Sequence, residues 1–251
     1  MTLLKLRPAL ADDDVTDPAI PLVPDHMRVY AIGDIHGRLD LLTALHAAID
    51  EDMAEHPGPD CIEVYLGDYV DRGPQSAGVL DALLARARTR RTVFLSGNHE
   101  EVMLDSLASR DAFSRWLRMG GLETVFSYVP PQPGLDEGHL WLRWRSAVRQ
   151  EHIHFLRDLA TSYACGNYAF VHAGLKPGVP LEEQQRADML WIRGEFLDCQ
   201  DWFGHCVVHG HTPKREPEVF ANRINIDTGA YATGHLTCLV LEGGDRFLIS
   251  T

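Results

Sequence analysis

Apolar residues follow a helical period in the first half of this chain and gather into short strand-like blocks in the second. From Met27 the run MRVYAI reads as a buried strand and stops at GDIHG. Residues 39–56 place Leu41, Leu42, Leu45, Ala48, Ile49 and Met53 at helical spacing, and Pro57-Gly58 ends that helix. CIEVYL, residues 61–66, is a second strand and ends in GDYVDRG. Residues 75–90 return to the helical period, with Val79, Leu80, Leu83 and Leu84 on one face. TVFL, residues 92–95, is a short strand ending in SGNHE, and a helix is expected from Glu100. This β-α-β-α-β-α order predicts a parallel sheet with right-handed crossovers. Each polar cluster falls at a strand's C-terminal end, the edge on which open α/β sheets build sites.

Residues 111–160 read as helices rich in Trp (Trp116, Trp141, Trp144) and Arg, broken at Pro130, Pro131, Pro133 and Gly134. They are expected to cap the site and form one wall of a substrate groove. From Ser162 the pattern changes to SYAC, YAFVHAG, HCVVHGHT, EVFANRINIDTGA, HLTCLVLEG and RFLIST, joined by turn residues. These predict a second sheet, mixed or antiparallel, packed on the first. Residues 1–26 carry Pro8, Pro18, Pro21 and Pro24 and an acidic stretch, and read as a flexible arm. Residues 27–251 read as a single domain, since 251 residues at 45% hydrophobic suffice for one sizeable core.

The net charge of −13 excludes a general nucleic-acid binder, which wants a basic face. It leaves room for a phosphorylated substrate, because a bound cation inverts the local field. The five cysteines (Cys61, Cys165, Cys199, Cys206, Cys238) include no CxxC pair and read as free thiols in a reducing compartment. No signal peptide and no membrane-length apolar run is visible, so a cytoplasmic location without membrane partners is expected. Oligomeric state is not legible.

GDYVDRG puts two carboxylates and a guanidinium on the turn after a buried strand, where a plain turn needs one Asp and one Gly. Similar clusters recur: Asp34 and His36 in GDIHG, Asn98 and His99 in GNHE, His172 in VHAG, His209 and His211 in VHGHT. Singly, each has a plain structural account as a helix cap, a turn former or a core histidine. Jointly, Asp, His and Asn beside glycines at strand ends supply the oxygen and nitrogen donors of a Mn, Fe or Zn site. An arginine beside them fits phosphate.

GDIHG, GDYVDRG, GNHE, HAG and GHT, in that order, resemble the signature of the phosphoprotein phosphatase family of metallophosphoesterases, and in particular its bacterial and phage members. HGHTPKREPEVFANRINIDTGA and GGLETVFSY add to the likeness, which runs from about Met27 to the C-terminus. The resemblance implies an α/β, calcineurin-like fold of two packed mixed sheets flanked by helices. It implies two divalent ions, Mn²⁺ first and Fe or Zn as alternatives. Asp34 and His36 would bind one ion, Asp68 would bridge both together with a hydroxide, and Asn98, His172 and His211 would complete the other. His99 would be the general acid, Asp71 would orient it, and Arg72, Arg193 and Asn98 would meet the substrate. His209 would be structural or support the site indirectly, because GHT assigns His211.

The function expected from this likeness is hydrolysis of phosphoserine and phosphothreonine in proteins, by direct attack of the bridging hydroxide. The alternative is hydrolysis of diadenosine tetraphosphate or a related nucleotide polyphosphate. Arg115, Arg118, Arg143, Arg145 and Arg149 would then offer a polyphosphate track, or else form a solvated helix face. Trp202 and Phe203 are candidates for the substrate rim, with core burial as the plainer reading. No cysteine sits in a phosphate-binding loop, and an inactive scaffold would be expected to lack some of these residues.

Overall fold

The computed structural model describes residues 4–5 and 20–251. Its first part runs β1 (Leu4–Lys5), β2 (Met27–Ile32), α1 (Leu39–Glu55), β3 (Asp60–Tyr65), α2 (Ser76–Ala87), β4 (Thr92–Phe94) and α3 (Asn98–Ala108). A helical segment follows: α4 (Arg110–Trp116), a kinked turn (Leu117–Gly121), α5 (Leu122–Tyr128), α6 (Glu137–Ala147) and α7 (Gln150–Arg157). The last part holds β5 (Ser162–Cys165), β6 (Tyr168–Val171), α8 (Arg186–Trp191), α9 (Gly194–Leu197), β7 (Cys206–His209), β8 (Glu218–Val219), β9 (Arg223–Asn225), α10 (Ala230–Thr233), β10 (Thr237–Glu242) and β11 (Asp245–Ser250).

The strands form two mixed sheets, ordered β1-β11-β10-β2-β3-β4 and β5-β6-β7-β9-β8. β2, β3 and β4 are parallel, as their helical connections require. The C-terminal hairpin corrects one expectation. HLTCLVLEG and RFLIST join the first sheet rather than the second, with β10 antiparallel to β2 from Cys238↔Ile32 to Glu242↔Arg28. The physical reason lies in β2, whose second edge is left open by the parallel crossovers and is buried only once β10 pairs there. α3 also begins two residues before Glu100, because the Glu100 carboxylate accepts from the backbone N–H of Gly97 and caps the helix start.

Period-two patterning explains the layers. In β10, Cys238 and Val240 face helices α1 and α2 together with Tyr30, Leu45, Leu80 and Leu83, whereas Leu239 and Leu241 face the second sheet. There they meet Val29, Val64, Tyr168, Phe170, Val208 and Ile224. A third cluster, Val171, Leu175, Leu190, Phe196 and Val207, lies on the outer side of the second sheet. Strands buried on both faces read as continuous apolar runs, which is why CIEVYL and CVVH look as they do. Most of the expected N-terminal arm lies outside the described residues. Of its described part, β1 pairs with β11 and Val23 is buried. Among the described residues no helix is long and apolar enough to cross a membrane.

A buried ion pair ties the sheet to α1 at the end remote from the polar turns. The Arg28 guanidinium, 2% exposed, donates to both Asp52 oxygens at 2.8–3.1 Å, and Tyr30 donates to the same carboxylate at 2.6 Å. Arg28→Met would strand a buried carboxylate and is expected to cost about 3–5 kcal/mol in urea unfolding, with metal content unchanged. A loss under about 1 kcal/mol would show that water or Tyr30 alone satisfies Asp52.

Candidate metal centre and active site

The polar turns leave the C-terminal ends of β2, β3, β4, β6 and β7 and converge at the seam between the sheets. Among the described residues six non-glycine positions have positive φ, and five of them are sequence-predicted site residues: His36, Asp68, Asp71, Arg72 and His211, at 46° to 74°. Such backbone costs about 1–3 kcal/mol per residue and persists only where surroundings enforce it. They do so here. The N–H groups of Ile35 and His36 donate to the Asp68 carbonyl at 3.1 and 2.8 Å, and that of Gly37 to the Tyr69 carbonyl at 2.8 Å. Glu100, which sequence reasoning missed, accepts from the N–H groups of Asp68, Tyr69 and Gly97 at 2.7–2.8 Å. Its signal was present as an acid on the first turn of a helix. Gly97 is dictated by contact, since a Cβ there would lie 2.2 Å from Asp68 Oδ1.

Asp68 sits in the middle. Two groups of donor atoms share it, His36–Asp68–His99 and Asp68–His172–His211, each with its atoms within 4.8 Å of one another. The first group contains His99 where the resemblance implies Asp34. His172 donates through Nδ1 to the Leu66 carbonyl at 2.9 Å, which turns the lone pair of Nε2 inward. That atom lies 3.0 Å from Asn98 Oδ1, 3.2 Å from His211 Nδ1 and 3.3 Å from Asp68 Oδ1. His36 repeats the arrangement, donating through Nδ1 to the Val70 carbonyl at 2.8 Å with Nε2 3.4 Å from Asp68 Oδ2.

Titration follows burial. Burial pushes His36 and His211 down to about 3 and lowers His172, so these rings are neutral, as metal ligands must be. Burial, then the neighbouring Asp227 and Asp68 carboxylates, pushes Asp34 well above the usual range. Asp34 Oδ2 accepts from the His211 N–H at 3.0 Å, while among the described residues no donor reaches its buried Oδ1. Carboxyls crowded together out of water, with neutral imidazoles aimed among them, fit divalent cations. Asp227, in the DTGA stretch, had no role assigned from sequence.

His99 lies on the same floor. Its Nδ1 donates to Asp71 Oδ2 at 2.6 Å, which leaves Nε2 facing the site. Burial lowers its pKa, but the Asp68 charge and the Asp71 hydrogen bond outweigh burial, and the net shift is upward. Arg72 Nη1 donates to His36 Nε2 at 2.8 Å, and its Nη2 lies 3.1 Å from His99 Nε2. The Tyr231 ring packs 4.8 Å from that guanidinium and edge-on to His36. Arg193 sits on the other flank, donating to the His211 carbonyl at 3.4 Å and Thr212 Oγ1 at 3.3 Å. Asp71 accepts from Trp116 Nε1 at 2.8 Å and Thr124 Oγ1 at 2.7 Å, two partners not foreseen from sequence.

Other expectations fall away from this centre. His209 is buried on Phe196 and donates to the Gly210 carbonyl, outside both donor groups. The left-handed backbone at His211 breaks the alternation that would have pointed the two rings the same way. Phe203 packs on Phe196 and Trp202 is exposed. Arg143 donates to Gln132, Arg145 stacks on Trp141 and Arg149 pairs with Asp81, so these three have partners elsewhere.

Comparison with known proteins identifies the family. The family model described as calcineurin-like phosphoesterase matches residues 27–237. A bis(5'-nucleosyl)-tetraphosphatase PrpE [asymmetrical] of Anoxybacillus flavithermus is 29% identical over 83% of this chain and 88% of its own length. Serine/threonine-protein phosphatase 1 of Salmonella typhimurium is 31% identical over 84% of this chain and 90% of its own. The crystal structure of a cold-active protein-tyrosine phosphatase from a psychrophilic Shewanella superposes with a TM-score of 0.56 at 17% identity, covering 96% of this chain and 86% of that one. With the matched family model covering most of the chain and every polar turn, the chain belongs to the calcineurin-like phosphoesterase family.

Proposed function

We propose that the protein is a phosphomonoesterase that uses two divalent cations, Mn²⁺ first, to hydrolyse phosphoserine and phosphothreonine in proteins. The observation that carries this reading is the buried His99–Asp71 pair aimed at the donor groups beside Arg72. An alkoxide is a poor leaving group and needs a proton as it departs, whereas a nucleotide phosphate leaves with little help. A positioned imidazole with a raised pKa is an investment that the first chemistry uses fully.

Asp34, His36, Asp68, Asn98, His172 and His211 would hold the ions. Cations there would lower the pKa of water and neutralise phosphoryl charge. The residues' own contributions follow from geometry. The Nδ1–H bond to Asp71 leaves Nε2 as the nitrogen that exchanges protons on the substrate side, and His99 would deliver its proton from there as the imidazolium, returning to the Nδ1–H tautomer. Arg72 from the His36 flank and Arg193 from the His211 flank offer donors to the equatorial phosphoryl oxygens as charge builds there. Relatives named as tetraphosphatases favour a second reading, hydrolysis of a dinucleoside polyphosphate.

The readings separate in one assay of the Mn-loaded protein. A phosphothreonine peptide is expected to exceed diadenosine tetraphosphate in kcat/KM, and the reverse order would favour the second reading. His99→Asn should lower kcat on the peptide by about 10²–10⁴-fold while metal content by mass spectrometry stays unchanged. An active His99→Asn enzyme on that peptide would remove the acid from the mechanism. Asp68→Ala should lose both metal and turnover, and a variant retaining full metal would show that Asp68 bridges nothing.

A further inference from the structure

The helical segment after α3 was expected to be a wall, yet it reaches beneath the site. We infer that residues 116–124 are part of the catalytic apparatus, with Trp116 and Thr124 as positioning residues that hold Asp71, and through it His99, in the proton-delivering arrangement. This rests on the reading of His99 as the acid.

Three observations converge. Asp71 Oδ2 receives both His99 Nδ1 at 2.6 Å and Trp116 Nε1 at 2.8 Å. The Thr124 hydroxyl donates to Asp71 Oδ1 at 2.7 Å, accepts from the Asp71 backbone N–H at 2.8 Å, and lies 2.8 Å from Ser76 Oγ. All of these side chains are fully buried, so water cannot replace a lost donor. Each carboxylate oxygen of Asp71 is thereby fixed by a partner from this segment, and His99 meets an acceptor that cannot rotate.

The backbone of the segment is shaped for the same task. The chain kinks between α4 and α5 at Gly120, φ 104°, whose carbonyl accepts from the Arg72 N–H at 3.0 Å. A Cβ on Gly121 would lie 2.5 Å from the Trp116 indole, so glycine there is what lets the ring lie under the turn. Asp71 and Arg72 both have left-handed backbone, at φ 74° and 65°, and the Thr124 and Gly120 bonds hold that conformation. The kink at Gly120 separates Trp116 at the end of α4 from Thr124 in α5, and the two side chains reach one carboxylate from either side of it.

The test uses the full Mn-loaded chain and two esters, phenyl phosphate with a poor leaving group and 2,4-dinitrophenyl phosphate with a good one. Trp116→Phe keeps the ring and removes the donor. It is expected to lower kcat on phenyl phosphate by about 10–100-fold with KM and bound Mn unchanged, as loss of a supporting hydrogen bond typically does. On the dinitrophenyl ester the loss should be about threefold or less. Added to His99→Asn, it should change nothing further, because the group it positions is gone. Thr124→Val should behave the same way and serves if Trp116→Phe does not fold. Equal losses on both esters, or losses that multiply in the His99→Asn background, would overturn the assignment in favour of plain structural support. If His99→Asn itself fails to distinguish the esters, the acid reading falls and takes this inference with it. If it does distinguish them while Trp116→Phe and Thr124→Val match wild type, only the positioning role is lost.

Discussion

The charge on Asp68 is the constraint around which the rest is built. It lies at a point 2% exposed, where burial opposes ionisation, and its oxygens face the ring nitrogens of His172, His36 and His99 at 3.3–3.9 Å. A carboxylate kept charged out of water must be surrounded by partners at fixed distances. Its backbone is pinned by Glu100, one of its oxygens takes the N–H of His99, and its left-handed φ turns the side chain into the seam. The fold supplies those partners from both sheets.

Parallel register explains how. Ile32↔Tyr65 closes the β2–β3 ladder, so the GDIHG and GDYVDRG turns leave the first sheet side by side. Phe170↔Val208 does the same for β6 and β7, and the Gly210 N–H donates to the His172 carbonyl at 2.8 Å. Two cross-sheet bonds then join the halves: His172 Nδ1 to the Leu66 carbonyl and the His211 N–H to Asp34. Sheets packed through a continuous apolar layer do not slide, which suits a centre whose donor atoms must keep their spacing.

The helical segment adds a second kind of support. Trp116, Trp144 and Phe113 bury it in the helix-side core, and from there it reaches Asp71 and the backbone of Arg72. The centre is thus braced from three directions, by each sheet and by the helices. The helices act on the side of the site where His99 meets Asp71. On the proposed reading, substrate preference and proton delivery are linked, because an ester that needs its leaving group protonated depends on that bracing more than one that does not.

Much of this was legible in the residues. The order of strands and helices through α3, the glycine-flanked clusters and their gathering at one sheet edge follow from local period and turn chemistry, which depend only on neighbours in the chain. His209 was separated from His211 by motif, and it lies outside both donor groups. What the chain alone left open were pairings between distant segments. A period of two says that Leu239 and Leu241 are buried on one face, not which sheet their strand will join. An aspartate in DTGA gives no sign that it will stand beside Asp34, nor a tryptophan in RWLRMGG that its N–H will meet Asp71. Local sequence determined which residues carry chemistry and where the chain turns. Only tertiary packing decided which distant edge, carboxyl or ring lies against them, because that choice rests on open strand edges and complementary buried shapes that no short stretch contains.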